Sequence, residues 1–567
     1  MRNRRLVISA AAMVAAGMGL IPGVAQADPA KPDAQGMSKP DLDLGLGKAS
    51  KSKEHSFTSP ADRTVRKALP SAKSGAAAAP QAQAAVAGNP DLAMELNAYG
   101  TSAHSVELDT AFISVDATLE VTIDWGDQKK EVVSATVANT DPETMTLTRS
   151  HTYAEVGSYT VKVTVKDVAN NVTATNEVAH VTPGSDFTPY APTRLLDTRN
   201  GTGAPMGMVQ PYSSTRVKVG GNGGIPADVT AVVLNVTVTD TDSDGHIIAF
   251  PEGTERPTTS NVNFKARQTV PNLVIVPVGK SGYVELANRS SMPVNLIADV
   301  TGYFSHTASS GYTPVAPSRF VDTRDGLGTV KGQLGGRKTF STQISGLRGV
   351  PQGISAVALN VTVTNPKEAG HLSVFPGGAA IPTASNLNFT AGQTIANSVI
   401  VPVGTDGKIS VFNGAWAGTD VIVDVVGFYS TNSKGAFLPL APERLLDTRD
   451  PVSWDGGQLD ARDYVIMPLS YEDPGFSGFV MNATVTNTRG DGFLTVAPDP
   501  NSMDDYINKV AYRPTPPNSS NLNWTKGATV PNLVQASTGT TGIINFWNQG
   551  WEDTDLIVDV FGYYDTL

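Results

Sequence analysis

The chain of 567 residues contains no cysteine. This excludes a disulfide framework, thiolate metal centres, iron–sulfur clusters and a cysteine nucleophile. It also lacks any long basic run, and 42 Lys and Arg stand against 53 Asp and Glu, a net charge of −11. Overall charge therefore offers nothing to nucleic acid or to an anionic membrane surface. No stretch sustains a 3.6-residue apolar period, so helices do not organise the chain. What is plentiful is Gly (54) and Pro (38) between short runs of alternating apolar and polar residues, the pattern of turns and strands.

Residues 1–27 read as a secretory signal peptide. A basic start (MRNRR) precedes the apolar run Leu6–Ile21, and Ala25-Gln26-Ala27 precedes Asp28 as the cleavage site. A run of 16 residues is short for a bilayer span. Removing it takes three arginines and brings the charge to −14. Arg4-Arg5 leaves both general and twin-arginine export open. No later segment is apolar enough to span a membrane, and the last residues, VDVFGYYDTL, show no anchor tail or sorting motif. The expectation is a secreted protein whose association with a cell wall, if any, is non-covalent.

From 28 to 90 the composition is Ala, Pro, Ser, Lys and Gly, with Phe57 the single aromatic. Such a segment buries too little apolar area to offset the entropy of ordering, which predicts a disordered spacer.

Between 91 and 184 strand periodicity begins. Tyr159, Val161, Val163 and Val165 alternate with Thr160, Lys162, Thr164 and Lys166, a half-buried strand. IDWGD (123–127) and HTYAEVGSYTVKVTVKD (151–167) together resemble the PKD domain, whose pattern is close to WDFGDG followed by HxYxxxGxYxVxLxVxD. Ile123 stands in the Trp position, Trp125 in the Phe position and Gln128 in the last Gly position. The resemblance implies an immunoglobulin-like β-sandwich serving as spacer or binding module. Asp124, Asp127 and His151 then read as turn-capping residues rather than acid–base machinery.

The remainder is a tandem repeat. RLLDTR (194–199), RFVDTR (319–324) and RLLDTR (444–449) recur at steps of 125 residues. LNVTVT, LNVTVT and MNATVT follow, then SNVNF, SNLNF and SNLNW, then VPN, IAN and VPN ending at Asn272, Asn397 and Asn532. Each copy closes on ADVTGYF, VDVVGFY or VDVFGYY. The copies occupy 185–308, 309–433 and 434–567, with about eight strands in each. They resemble modules of secreted actinobacterial proteins, a resemblance that brings no defined activity. The fold class expected is all-β: a multidomain string of β-sandwiches or barrels, three of them beads that each hold a separate core.

Three groups of residues carry the candidate chemistry. Asp299, Asp424 and Asp559 sit in apolar closing strands, where a carboxylate is costly unless paired. Arg199, Arg324 and Arg449 are the expected partners, with Asp197, Asp322 and Asp447 two residues earlier, giving an Asp–Arg–Asp cluster in each copy. The alternative is a ligand grip or glycoside-hydrolysing carboxylate pair. The Asn-x-Thr triplets at Asn235, Asn360 and Asn482 mimic glycosylation sequons, but a strand position favours side-chain hydrogen bonds. Asp240, Asp242 and Asp244 resemble the start of a calcium loop whose twelfth position is Pro251, so a hairpin turn is the better reading and no cofactor is otherwise implied. His246 and His371 are replaced by Phe493 in the third copy, which points to packing.

The recognition candidates are Trp416, Trp547 and Trp551, with Trp454 as a further member and Asn413 and Asn548 beside them. Exposed Trp with neighbouring Asn suits a sugar ring or a protein hot spot; the competing reading makes each Trp a lid on a sheet edge. No GxSxG, HExxH or phosphate loop occurs. The sequence thus points to a non-catalytic binder of cell-wall glycan or extracellular protein, with a carboxylate hydrolase and a passive spacer as alternatives.

Overall fold

The computed structural model describes residues 55–69, 88–137, 145–451, 454 and 456–567, together with the backbone of Ile8–Ser9. Nearly the whole signal segment, the Ala27–Asp28 cleavage site and most of the spacer lie outside the described residues. The protein is an all-β string of sandwiches, and the chain divides into a unit spanning Gly45–Ser185 and one spanning Asp186–Thr566.

The first unit is a sandwich of two antiparallel sheets. One orders Ser56–Ser59, Ala93–Gly100, Ser105–Ile113 and Met145–Thr152. The other orders Val65–Ala68, Val172–Val181, Ser158–Asp167, Ala117–Asp124 and Lys130–Val137. Val161, Val163 and Val165 are fully buried against Leu96, Ile123 and Trp125, while Lys162 and Lys166 face water. The expected spacer is shorter than its composition suggested. Residues 55–69 supply one strand to each sheet, and Phe57 packs on the core. Averaging over 63 residues hid this short alternating run.

Two local features of this sandwich have measurable consequences. Gln128 takes a left-handed φ of 72° in the turn after Gly126, a conformation that costs a side chain about 1 kcal/mol and glycine almost nothing. Because Gln128 is exposed, Gln128→Gly should raise the unfolding free energy by roughly that amount, read as a shifted denaturant midpoint with an unchanged slope. His180 is buried beside Phe57, Tyr153 and Tyr159, and neither ring nitrogen has a hydrogen-bond partner. Burial depresses its pKa from 6.5 to about 4, with a lesser push from His151. The unfolded chain then takes up a proton that the folded chain refuses. Stability is full above pH 6.5 and falls by about 3 kcal/mol as the pH drops toward 4. Denaturant titrations of the wild type and His180→Leu over this range should show the slope only in the former; parallel curves would remove His180 as its source.

In the second unit every copy is a sandwich of two antiparallel sheets with four strands of its own in each, and in the third copy Ile8–Ser9 adds a fifth beside Tyr464–Pro468. In the first copy one sheet orders Asp186–Asp197, Asn295–Ser305, Ala231–Thr239 and Val270–Pro277. The other orders Ser214–Lys218, Tyr283–Asn288, Gly245–Pro251 and Val262–Phe264. The same order recurs in the second copy and the third. Val232, Leu234, Val236 and Val238 fill the space between the sheets, as do Val357, Leu359, Val361 and Val363.

The copies are not independent beads, because the opposite face of that central strand is buried too. Ala231, Val233, Ala356, Ala358 and Val480 join Leu273, Ile275, Ile400 and Leu533 in one core drawn from all three copies. Six aromatic rings close a cycle inside it. Phe187 lies between Phe304 of its own copy (5.2 Å) and Tyr429 of the next (4.2 Å). Tyr312 lies between Tyr429 (4.8 Å) and Tyr564 (4.2 Å). Phe437 lies between Tyr564 (5.4 Å) and Phe304 of the first copy (4.6 Å). This explains the glycine of the closing motif. A Cβ on Gly302, Gly427 or Gly562 would collide with the ring of Phe187, Tyr312 or Phe437.

Candidate functional site

The repeated polar residues assemble the joints between copies. Asn235 Nδ2 donates to Ser385 O of the second copy at 2.7 Å, and Asn482 Nδ2 donates to Ser260 O of the first at 2.8 Å. Asn360 makes the equivalent bond to Ser520 of the third. The asparagines of the VPN and IAN motifs repeat the cycle. Asn397 Oδ1 accepts from Leu273 N (3.4 Å), Asn532 Oδ1 from Ser398 N (3.0 Å) and Asn272 Oδ1 from Leu533 N (3.4 Å). The first copy thus docks on the second, the second on the third and the third on the first. Buried amides satisfied in this way fix register as well as adhesion.

The buried carboxylates belong to the same joints. Asp299 does not receive Arg199. Its two oxygens accept Nε and Nη2 of Arg194 at 2.9 and 3.2 Å, and Arg194 Nη1 reaches Asp197 at 3.0 Å. Arg319 bridges Asp424 and Asp322, and Arg444 bridges Asp559 and Asp447, in the same manner. The strand ends at Asp197, so Arg199 curls back in a turn and grips Asp197 through its own N–H and guanidinium, as Arg324 does Asp322 and Arg449 does Asp447. Burial raises the pKa of Asp299, Asp424 and Asp559, and the bridging arginines oppose it. The Arg199 and Arg324 contacts hold Asp197 and Asp322 below the usual carboxylate range. The backbone of Ser520 adds a hydrogen bond to Asp424, and that of Ser260 one to Asp559, so the clusters touch the neighbouring copy. Every one of these carboxylates is committed to a guanidinium, which leaves no free acid–base pair among them.

The acids of the calcium-like loop are also spent locally. Asp240 accepts from Asn295 Nδ2 at 2.8 Å, and Asp244 from Ala266 N at 3.0 Å and Lys265 Nζ at 3.1 Å. Asp240, Asn365 and Asn487 all take left-handed φ values at this hairpin, a conformation Asp and Asn tolerate best after Gly. Asp242 has no place in this network. Asp127 holds His151 at 2.9 Å in the first sandwich, and His151 lies flat on Trp125.

The tryptophans separate into two classes. Trp547 is buried, stacked on Tyr464 at 4.2 Å beneath the third copy's added segment, whose short helix Met503–Ile507 contributes Met503 and Tyr506. Trp454 is buried as well, its Nε1 donating to Gly457 O. Trp416 and Trp551 are 81% and 77% exposed. Asn413 and Asn548 lie fully buried below them and meet loop backbone. Asn413 Nδ2 donates to Leu334 O and Ala417 O, and Asn548 Nδ2 to Leu459 O and Glu552 O. They brace the loops that carry the tryptophans.

Each exposed ring carries an arginine that the sequence reading missed. Arg337 stands 5.4 Å from the Trp416 ring and Arg462 stands 5.0 Å from that of Trp551. In the first copy the two residue types change places. Tyr212 occupies the position of Arg337 and Arg462, is 61% exposed, and lies 5.1 Å from Arg289. Tyr212, Arg337 and Arg462 share left-handed φ values of 56°, 55° and 60°. The signal was the exchange itself, an aromatic and a cation swapped between two loops of one copy. Such stacks place a flat apolar face and guanidinium donors side by side.

No family model matches the chain, and no curated protein does. Among solved structures it shows similarity to carbohydrate-binding modules of the β-sandwich superfamily (10% identity over 36% of this chain and 92% of that one, TM-score 0.13). A SusE-like protein matches at 9% identity over 36% of this chain and 96% of that one, TM-score 0.11. The tetra-tandem repeat from the extending region of a large adhesion protein matches at 12% identity over 82% and 97%, TM-score 0.12. At these scores the likenesses carry no functional argument.

Proposed function

We propose that the chain is a secreted, non-catalytic binding protein that engages carbohydrate at a cell envelope or in an extracellular matrix. One observation carries this reading: an exposed aromatic ring beside an arginine recurs in every copy, and the first copy rebuilds it from different positions. A core requirement would have kept the residue and buried it. A sugar ring presents C–H groups to an aromatic face and hydroxyls to neighbouring donors. Three such stacks on one unit convert weak single contacts into avidity. The leader-like N-terminus supports export. Among the described residues no helix is long and apolar enough to cross a membrane, which says nothing of a β-barrel. In this reading the PKD-like sandwich holds the repeat unit away from its attachment.

The test is retention of the full chain on insoluble cell-wall glycan. Trp416→Ala with Trp551→Ala should cut retention by about tenfold or more while leaving the melting curve unchanged. Undiminished retention by the double variant would reject the stacks as the binding surface. Release of reducing sugar by the wild type would favour the hydrolase reading instead.

A further inference from the structure

The first sandwich carries a second surface of a different kind. A groove of about 440 Å³ runs along the outer face of its five-stranded sheet, lined by Arg63, Val65, Lys67, Lys162, Thr173, Thr175, Asn176 and Glu177. The volume lies within the range of small-ligand sites. Strand register builds the groove: Lys67 stands opposite Thr173, Val65 opposite Thr175 and Glu177 opposite Lys162, so alternate residues of three adjacent strands share one face.

The charges around it are sorted. The described part of this sandwich holds eight Lys and Arg, outnumbered by acids. Lys129, Lys130, Arg149 and Lys166 make ion pairs with Asp127, Asp124, Glu131 and Glu120. Arg66 donates to Leu92 O. The three that remain, Arg63, Lys67 and Lys162, all line the groove, and none forms an ion pair among the described residues. Lys162 stands between Glu177 on one neighbouring strand and Asp124 on the other, and Asp124 is already paired with Lys130, so the groove keeps a net excess of cations.

We propose that this groove binds a uronic-acid oligosaccharide, a site separate from the aromatic stacks. Three cations against Glu177 leave an excess suited to one or two carboxylates. A dense polyanion would meet repulsion from Glu177, whereas sugar hydroxyls would donate to it. Thr173 and Thr175 add hydroxyls that both donate and accept. Val65, 57% exposed, offers an apolar contact for the ring's C–H face.

Calorimetry on the full chain should compare oligogalacturonate with a neutral galacto-oligosaccharide of equal length and with polyphosphate. The uronate should bind, and the neutral sugar at least about tenfold more weakly. Lys67→Gln and Lys162→Gln should each weaken uronate binding by about tenfold, the loss of one charge-assisted contact. All these side chains are at the surface, and an unchanged melting curve confirms an intact fold. Glu177→Leu should also weaken the uronate, because it removes the hydroxyl acceptor, which Gln would keep in its amide oxygen. Equal affinity for the neutral sugar, or uronate binding that survives Lys67→Gln with Lys162→Gln, overturns the proposal. So does tightening by Glu177→Leu with polyphosphate preferred, the signature of a plain polyanion site. Trp416→Ala with Trp551→Ala should leave uronate binding intact; its loss there would assign the ligand to the repeats instead.

Discussion

Asp424→Ala should destabilise the three-copy unit by about 3 kcal/mol, the cost of leaving the mostly buried Arg319 guanidinium with only its longer contact to Asp322 at 3.4 Å. Asp424 is inaccessible to solvent, and the Arg319 side chain that it holds is only 15% exposed. A surface ion pair would cost less than about 1 kcal/mol, so the magnitude alone separates the two cases. The effect should also cross copies, because Asp424 takes a hydrogen bond from the backbone of Ser520. Hydrogen exchange should therefore rise at Ser520 and along Leu522–Trp524 as well as in the second copy. Removing the arginine as well, in Asp424→Ala with Arg319→Met, should recover a large part of the loss, since no charge is then stranded. A loss below 1 kcal/mol, or exchange confined to the second copy, would mean that the cluster is peripheral to the joint.

Gly427→Val should cost about 3 kcal/mol by a different route, steric rather than electrostatic. The new side chain would occupy the volume of the Tyr312 ring, which is wedged between Tyr429 and Tyr564 and cannot swing aside without opening the aromatic cycle. Thermal unfolding should lose cooperativity across all three copies rather than reveal one weakened sandwich. Tyr312→Leu vacates part of that space, so the double variant should lose less than the sum of the singles. Strict additivity would show that the glycine is needed for something other than the ring.

The alternation of apolar residues was readable directly, and it placed the strands and the sandwich cores. Val232, Leu234, Val236 and Val238 required nothing beyond period two. What could not be read was the burial of the other face. Asn235 and Thr237 alternate with valines as solvent-facing residues do, and only the neighbouring copy's backbone shows that they are enclosed. Period two extends the strand to Arg199 and makes it the expected partner, but the strand ends at Asp197 and the turn that follows takes Arg199 away, leaving Arg194 to meet Asp299. The sequence groups Trp547 with Trp551, because alignment alone does not show a thirteen-residue insertion between Phe493 and Asn521 folding over one ring and sparing the other. Trp416 and Trp551 stood out as Trp beside small and polar residues, but their arginines come from a loop more than 75 residues earlier in the chain.

The closed cycle of six rings has a consequence for how the chain is ordered. In an open array each copy needs only its neighbour in sequence, and a further copy extends the array. Here the third copy contacts the first as the first contacts the second, so three is the number that leaves no joint empty. Covalent order matters less than cyclic order. A chain joined from third copy to first and cut between first and second would present the same joints, and a fourth copy inserted in tandem would find none to occupy.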